Sequence, residues 1–208
     1  MYSLLKPLQV REELLRRNIR VFMAQDFIRI FNTSPRITKY FLETQAQQGF
    51  LLRLRQGVYT LRTDLPSEEE MANAIYKPSY ISFEYALAYY HLLPEMPYII
   101  TSATTKPTRL FITKSHSFSY RTIQKKAYTG YSLLKQDQKS FLIADKEKAL
   151  VDYLYFVSLR KSPKNERLFE NLQNKSYYKT KGLRKDKIST YTQLFGNKQL
   201  LNLITIFL

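Results

Sequence analysis

The spacing of apolar residues changes within residues 21–61, and this change predicts a helix, a turn, a second helix and a β-hairpin. Apolar residues first recur at helical spacing, at Phe27, Ile30 and Phe31. Ser34 followed by Pro35 is typical of a helix start, because serine caps a free backbone N–H and proline suits the first helical position. After Gly49 apolar and polar residues alternate, and Gln56-Gly57 supplies a turn between two strands. We therefore predict a winged helix-turn-helix.

The second helix of this segment has two distinct faces when it begins at Pro35. Its predicted inner face consists of Ile37, Phe41 and Thr44. Its predicted outer face consists of Arg36, Lys39, Glu43 and Gln47. The outer face is polar and is therefore available to a ligand.

The residue types on this segment suit DNA. A helix N-terminus near Ser34 offers free backbone N–H groups to a phosphate. Arg36 has the forked donor geometry that matches a guanine edge, whereas Thr38 and Tyr40 suit a phosphate or a thymine methyl group. The hairpin tip would lie over the adjacent backbone or the minor groove. The expected DNA-binding residues are Ser34, Arg36, Thr38, Lys39, Tyr40, Arg53, Arg55 and Gln56.

A short amphipathic helix is predicted before this segment, at residues 7–18. Leu8 and Leu15 lie on one side of it, with Val10 and Leu14 close by. The arginines that follow it either lie along a phosphate backbone or face water, and the spacing leaves both readings open. They are Arg16, Arg17 and Arg20.

Residues 66–208 combine helical and strand patterns. Ser67 and Glu70 fit a capping box at the start of a short helix. Longer helices are predicted at residues 82–93 and 145–159, and strands at residues 98–105, 109–113 and 118–123 with a hairpin in residues 125–143. The predicted fold is α+β. It has a winged helix-turn-helix at residues 1–65 and a mixed α/β domain at residues 66–208, with a small, mostly antiparallel sheet and C-terminal helices.

The charge of the chain favours a polyanionic partner. The 208 residues carry 33 basic and 17 acidic groups, which gives a formal net charge of +16. Residues 1–62 hold 11 basic and 4 acidic groups, and residues 161–208 hold 10 and 3. Such an excess is typical of nucleic-acid binding, but a solvated basic surface is an equally simple explanation for the C-terminal third. There the candidates are Lys175, Lys179, Lys181, Arg184, Lys185 and Lys187.

Several classes of protein find no support in the residues. The chain has no cysteine, and His91 and His116 have no second ligand at metal-binding spacing, so we expect no metal and no cofactor. Asp145, Glu147 and Asp152 could form an acid-base cluster, but helix capping is the favoured reading. We find no P-loop and no nucleophile elbow, and we expect no catalytic residue. Without a signal peptide or a long apolar run, a cytoplasmic protein is expected.

Four segments in a fixed order carry a family resemblance. They are RLRQGVYTL at the end of the hairpin, SFEYALAYYHLLP, ITSATT and IADKEKALVDYLY. In this order and spacing, the chain resembles the AbiEi family of antitoxins from abortive-infection systems. The resemblance implies a winged helix that represses its own operon. It also implies a C-terminal domain that neutralises a nucleotidyltransferase toxin in a type IV arrangement, without obligatory contact with that toxin.

Three functions therefore stand beside one another. The first is an autorepressor and antitoxin, whose partners would be its own operator DNA, expected as inverted repeats and bound by a homodimer, and a nucleotidyltransferase toxin. The second is a winged helix that contacts protein rather than DNA, or a regulator without antitoxin activity. The third, an enzyme acting on nucleotides, has the least support, because no glycine precedes a serine and paired aspartates as such an enzyme requires.

Overall fold

The computed structural model describes residues 5–113, 116–136, 139–159 and 182–207. In these residues the chain is a mixed α+β protein with a three-stranded and a six-stranded sheet. It divides into two compact units, Met1–Ile75 and Tyr76–Leu208.

The first unit alternates helices with short strands. Its strands are antiparallel and lie in the order β1-β3-β2. Its elements are α1 (Pro7–Arg16), β1 (Val21–Met23), α2 (Ala24–Phe31), α3 (Pro35–Gln47), β2 (Leu51–Arg55), β3 (Val58–Leu61) and α4 (Glu68–Ile75).

Aromatic side chains from three of these elements form the centre of the first unit. Phe27 of α2 packs between Phe22 of β1 and Phe41 of α3, with ring centroids 5.9 and 5.4 Å away. Helix α1 covers this cluster with Val10 and Leu14, whereas Leu8, expected on the same side, is 71% exposed. The predicted helix is present, but its buried face is rotated because Val10 and Leu14 follow the four-residue ridge that meets the aromatic cluster.

Helix α4 belongs to the first unit. The predicted capping box is confirmed: the backbone N–H of Ser67 donates to Glu70 Oε2 at 2.9 Å, and that of Glu70 donates to Ser67 Oγ at 3.3 Å. Glu70 also pairs with Arg20 at 3.4 Å. The sequence predicts a domain boundary before this helix, near Pro66, whereas the compact units divide after Ile75.

The second unit is built on the six-stranded sheet, in the order β6-β7-β5-β4-β9-β8. Its elements are β4 (Ser79–Ile81), α5 (Phe83–Tyr89), β5 (Ile99–Thr104), β6 (Arg109–Ile112), β7 (Ser117–Thr122), a 3-10 turn (Lys125–Ala127), β8 (Tyr131–Gln136), β9 (Lys139–Ala144), α6 (Lys146–Ser158), α7 (Lys185–Phe195) and α8 (Lys198–Phe207).

This sheet is larger and more mixed than the sequence predicted. The pairs β4·β9 and β5·β7 are parallel, while β4·β5, β6·β7 and β8·β9 are antiparallel. Three of the five strand pairs are antiparallel, as expected, but the sheet is not small: β4, only three residues long, joins it by pairing with β9, far along the chain. Local alternation predicts strands, but it does not reveal such distant partners.

Helix α6 begins at its predicted capping residue. Asp145 Oδ1 accepts the backbone N–H of Lys148 at 2.8 Å at the start of α6. Helix α7 ends at Gly196, whose φ of 58° is the left-handed conformation that favours glycine. Helix α5 is shorter than expected and ends at Tyr89 rather than near Leu93. The apolar tail forms α8 and packs against α6 with its buried Leu200, Leu203 and Ile204.

Candidate nucleic-acid interface

The turn between α2 and α3 positions the start of α3. Asn32 takes the left-handed conformation with φ of 48°, which asparagine tolerates better than most residues. Ser34 Oγ accepts the backbone N–H of Ile37 at 3.3 Å, and Pro35 occupies the first helical position. The predicted helix start is confirmed. Pro35 has no N–H and the N–H of Thr38 donates to the carbonyl of Ser34 at 3.0 Å, so an anion at this helix start would meet the N–H of Arg36.

Thr38 was expected on the DNA-binding surface, but its side chain is buried. Its side chain is 1% exposed, and its hydroxyl shares a hydrogen bond of 2.7 Å with that of Thr33. This bond ties α3 to the turn before it. Thr38 therefore stabilises the turn, and the expectation that it contacts DNA is corrected.

One face of α3 is buried and the other is open. The buried side chains are Thr38, Phe41, Leu42 and Gln45, so of the expected inner residues only Phe41 is fully buried. The exposed side chains recur at spacings of three and four residues, as one stripe requires. They are Arg36, Lys39, Tyr40, Glu43 and Gln47. Tyr40 is 73% exposed, which is far above what core packing would leave.

The two arginines of the hairpin differ: Arg53 is exposed, whereas Arg55 is hydrogen-bonded within the first unit. Arg53 and Gln56 are exposed, and Gly57 makes the turn with φ of 77°. Arg55 is half-buried: its Nε donates to the carbonyl of Ile75 at 2.5 Å and its Nη1 to that of Gln56 at 3.0 Å. Arg55 therefore connects the hairpin to the end of α4 rather than presenting a free guanidinium group.

The arginines around α1 are engaged by acidic side chains. Arg16 and Arg17 donate to Glu13 at 2.7 and 2.5 Å, and these bonds lower the pKa of Glu13 to about 2. Arg20 contacts Asp64 at 3.5 Å in addition to Glu70. Their charges are thus partly neutralised within the first unit.

Three exposed cations lie on α3 and the hairpin. Across the described part of the chain, the side chains of Arg36, Lys39 and Arg53 form no ion pair. Helix α3 packs against β2, the strand that carries Arg53. These three cations give the α3 face and the adjacent hairpin a positive charge, although Lys6, Arg29 and Arg62 elsewhere in the first unit are also exposed.

The acidic residues of α6 have structural partners. Asp145 caps the helix and also accepts from Lys187 at 3.0 Å and from the Tyr191 hydroxyl at 2.8 Å. Glu147 accepts the backbone N–H of Arg184 at 3.0 Å. For Asp145 the predicted capping role is confirmed, and both carboxylates hold α7 against α6.

A buried ion pair is the feature of α6 that the sequence did not reveal. Lys148 Nζ donates to Asp152 Oδ1, and both side chains have no exposed surface. Asp152 Oδ2 also accepts from the hydroxyls of Tyr80 and Ser82 at 2.9 and 2.8 Å. Burial raises the pKa of Asp152 and lowers that of Lys148. These bonds connect α6 to β4 and to the residue that follows it.

The C-terminal basic tract is partly neutralised where it is described. Arg184 pairs with Asp186 at 2.6 Å, and Lys187 pairs with Asp145. Lys185 is the first residue of α7, and Lys175, Lys179 and Lys181 lie outside the described residues. The described part offers a weaker positive surface than the sequence suggested.

A cleft of about 630 Å³ opens beside the outer strands of the second unit. Its apolar wall includes Tyr98, which is fully exposed, and Leu110, which is 55% exposed. On its polar side, Arg121 donates to Glu84 at 2.7 Å, and the Arg121 guanidinium lies 3.9 Å from the ring centroid of Phe156. Because this ion pair is already satisfied, the cleft offers mainly apolar contact area.

Comparison with protein-family models gives no match, and neither does comparison with curated proteins. Among the described residues, no helix has the length and apolar composition needed to cross a membrane. In the same residues, no three acidic or histidine side chains are grouped closely enough to hold a metal ion.

Proposed function

We propose that the first unit is a winged helix-turn-helix that binds double-stranded DNA. Its order of elements supports this class: helix α1, strand β1, the helices α2 and α3 joined by a tight turn, and the hairpin β2-β3. In such proteins the second helix of the pair enters the major groove. Here that helix is α3.

The observation that carries the proposal is the exposed stripe of α3 with its unpaired cations. Arg36 near the N-terminus is suited to a guanine edge, while Lys39 and Tyr40 follow one turn later. The capped N-terminus at Ser34 suits a phosphate. Arg53 and Gln56 of the hairpin suit the neighbouring backbone. Thr38 and Arg55 are left out, because both are engaged inside the unit.

For the biological role, we propose an autorepressor and antitoxin. This step rests on the resemblance of the sequence to AbiEi antitoxins. The first unit would bind inverted repeats in its own operator as a homodimer, and the second unit would counteract a nucleotidyltransferase toxin. Neither activity is enzymatic in this proposal.

A reporter assay and a growth assay separate these two activities. The variant Arg36→Ala/Lys39→Ala should lose repression of a reporter fused to the chain's own upstream region, since both cations lie on the exposed stripe. It should still rescue growth from the neighbouring toxin gene, because the second unit is unchanged. Loss of rescue together with repression would mean that the two functions are inseparable, and full repression by the variant would refute DNA binding through α3.

Protein binding through the same surface is the second candidate function. The 73% exposure of Tyr40 favours it, because tyrosine is enriched in protein interfaces. The reporter assay decides between the candidates. A DNA-binding repressor should repress the reporter and lose this repression when the cations of α3 are removed. A protein-binding module should not repress the reporter even as the wild-type chain.

A further inference from the structure

Glu43 is the one carboxylate of α3, and it lies on the same exposed stripe as Arg36, Lys39 and Tyr40. A carboxylate on a DNA-binding face repels phosphates, so it reduces the affinity for every sequence. It therefore calls for an explanation beyond general DNA binding.

Within the described residues, the Glu43 side chain forms no hydrogen bond and no ion pair. Lys39 precedes it by four residues, a spacing that permits a helical ion pair, but the two side chains are not joined by one. The carboxylate has both oxygens available to an external donor.

Glu43 lies one turn after Lys39 on α3, and its charge acts on the same tyrosine as that of Arg53. Burial raises the pKa of the nearby Tyr59 hydroxyl, while Arg53 lowers it and Glu43 raises it. Both charged groups thus act on the same tyrosine of β3. Glu43 lies toward the hairpin side of the stripe, and Arg36 lies at the opposite end of α3.

The spacing along α3 gives a register on DNA. Seven residues separate Arg36 from Glu43, which at about 1.5 Å per residue is about 10 Å along the helix. Successive bases are about 3.4 Å apart along a strand. With α3 lying along the major groove, the two side chains face positions about three base pairs apart.

The chemistry of the base edges then selects one base. Guanine presents only acceptors in the major groove, and thymine presents an acceptor beside a methyl group. Adenine presents its N6 donor beside the N7 acceptor, which repels a carboxylate. Cytosine presents the N4 donor alone, and this group matches glutamate.

We propose that Glu43 is a specificity-determining residue that selects cytosine about three base pairs from the position facing Arg36. This inference rests on the proposed DNA binding of the first unit. Glu43 lowers the affinity for unrelated DNA and increases discrimination at that one position.

The test is selection of bound duplexes from a pool with a randomised central region, using the full chain and its Glu43→Gln variant. The wild-type chain should enrich cytosine at one position. In the variant, the enrichment of cytosine at that position should fall about fivefold or more. Adenine should be favoured there instead, because glutamine pairs with adenine N6 and N7. Its affinity for a random-sequence duplex should rise.

Glu12→Gln is the matched control, because Glu12 is an exposed glutamate of α1 off the α3 stripe. It removes the same charge and should keep the wild-type base preference. Identical base profiles for wild type and Glu43→Gln would overturn the role of Glu43 and leave DNA binding intact. Loss of the preference in both variants would also overturn it, since net charge rather than position would then matter. Failure of the wild-type chain to enrich any duplex would instead refute the proposed function.

Discussion

Individual arginines of the first unit differ in what their guanidinium groups contact. Arg16, Arg17 and Arg20 pair with carboxylates, and Arg55 donates to backbone carbonyls. Arg36 and Arg53 are exposed and lack an ion pair in the described part of the chain. The same residue type therefore supports two roles, one in folding and one in the proposed binding of DNA.

Arg36→Ala should weaken binding to the chain's own upstream sequence by about 1 to 3 kcal/mol and relax selectivity at one position. The reason is the loss of a forked donor from the start of α3. A band-shift titration with single-base variants of the duplex measures both effects. Unchanged affinity would remove Arg36 from base recognition.

Arg53→Ala and Arg55→Ala should behave differently although the two residues share one strand. Arg53→Ala should weaken all sequences similarly and lower the slope of log K against log salt by about 1, as loss of one phosphate contact predicts. Arg55→Ala should instead lower the stability of the first unit, because it removes the bond to the carbonyl of Ile75.

Urea unfolding and salt-dependent binding together distinguish these two variants. If Arg55→Ala lost as much DNA affinity as Arg53→Ala and kept its stability, Arg55 would contact DNA rather than stabilise the first unit. A changed sequence preference without a changed salt slope in Arg53→Ala would mean that the hairpin is not a backbone contact.

For single residues, the sequence predicts contacts between neighbours along the chain, such as helix caps, but not contacts between distant residues. The Ser34 cap, the Pro35 start and the Asp145 cap follow from a few adjacent positions, and all three are present. The engagement of Arg55 depends on the carbonyl of Ile75, twenty residues away. No local pattern indicates such a contact.

Helix α6 carries three buried charged side chains, Glu147, Lys148 and Asp152. Asp152 accepts from Lys148 on the same helix, from Tyr80 on β4 and from Ser82 just after β4. The ion pair thereby connects the helix to the centre of the sheet. A buried charge left without its partner is costly, so the pair must be treated as a unit.

Asp152→Ala should lower the free energy of unfolding by about 3 to 5 kcal/mol, because Lys148 would remain buried without a counter-charge. The double variant Lys148→Met/Asp152→Asn should recover much of this loss, since it removes both charges and keeps an acceptor for Tyr80 and Ser82. Urea denaturation measures both. A cost below about 1 kcal/mol for Asp152→Ala would show that the pair contributes little.

For whole elements, helices were predicted more completely than the sheet. Helix α6 was expected at residues 145–159 and spans Lys146–Ser158. Alternation predicts the strands β5, β6 and β7, and the antiparallel pairing of β6 with β7 agrees with the expected antiparallel sheet, but the parallel pairing of β5 with β7 was not expected. Parallel pairing of β5 with β7 places β6 at the edge of the sheet. Strand order depends on long-range packing, which a single sequence does not display.

Four tyrosines of the second unit have raised pKa values: Tyr80 is buried, and Tyr90, Tyr128 and Tyr191 are half-buried. Burial is the main cause in each case, and it raises the pKa of Tyr90 to about 12. It also raises the pKa values of Tyr80, Tyr128 and Tyr191, with further contributions from Asp152 at Tyr80 and from Asp145 at Tyr191. These hydroxyls are held in the protonated form by the fold.

Stability should therefore fall at alkaline pH. The folded state binds these protons more tightly than the unfolded state, whose tyrosines have a pKa near 10. The associated stability is complete below about pH 10 and is lost as pH rises from there through the folded pKa values. Urea unfolding at several pH values between about 8 and 12 measures this loss, and Tyr90→Phe should make it smaller. A pH-independent free energy of unfolding would contradict the prediction.

Positive charge is distributed unevenly between paired and exposed side chains. The net charge of +16 is partly offset by ion pairs around α1 and α7, while α3 and its hairpin keep exposed cations. Because the units divide after Ile75, α4 belongs to the same unit as the proposed interface, and its Glu70 pairs with Arg20 there. Net charge alone would not have located that interface.

Equilibrium binding of the full chain to a duplex from its own upstream region, at several salt concentrations, tests this claim most directly. We expect log K to fall linearly with log salt, with a slope of about −0.9 for each phosphate contacted, and the upstream duplex to bind more tightly than a shuffled one. Absence of binding at low salt, or equal binding of both duplexes with no dependence on the α3 cations, would contradict the account.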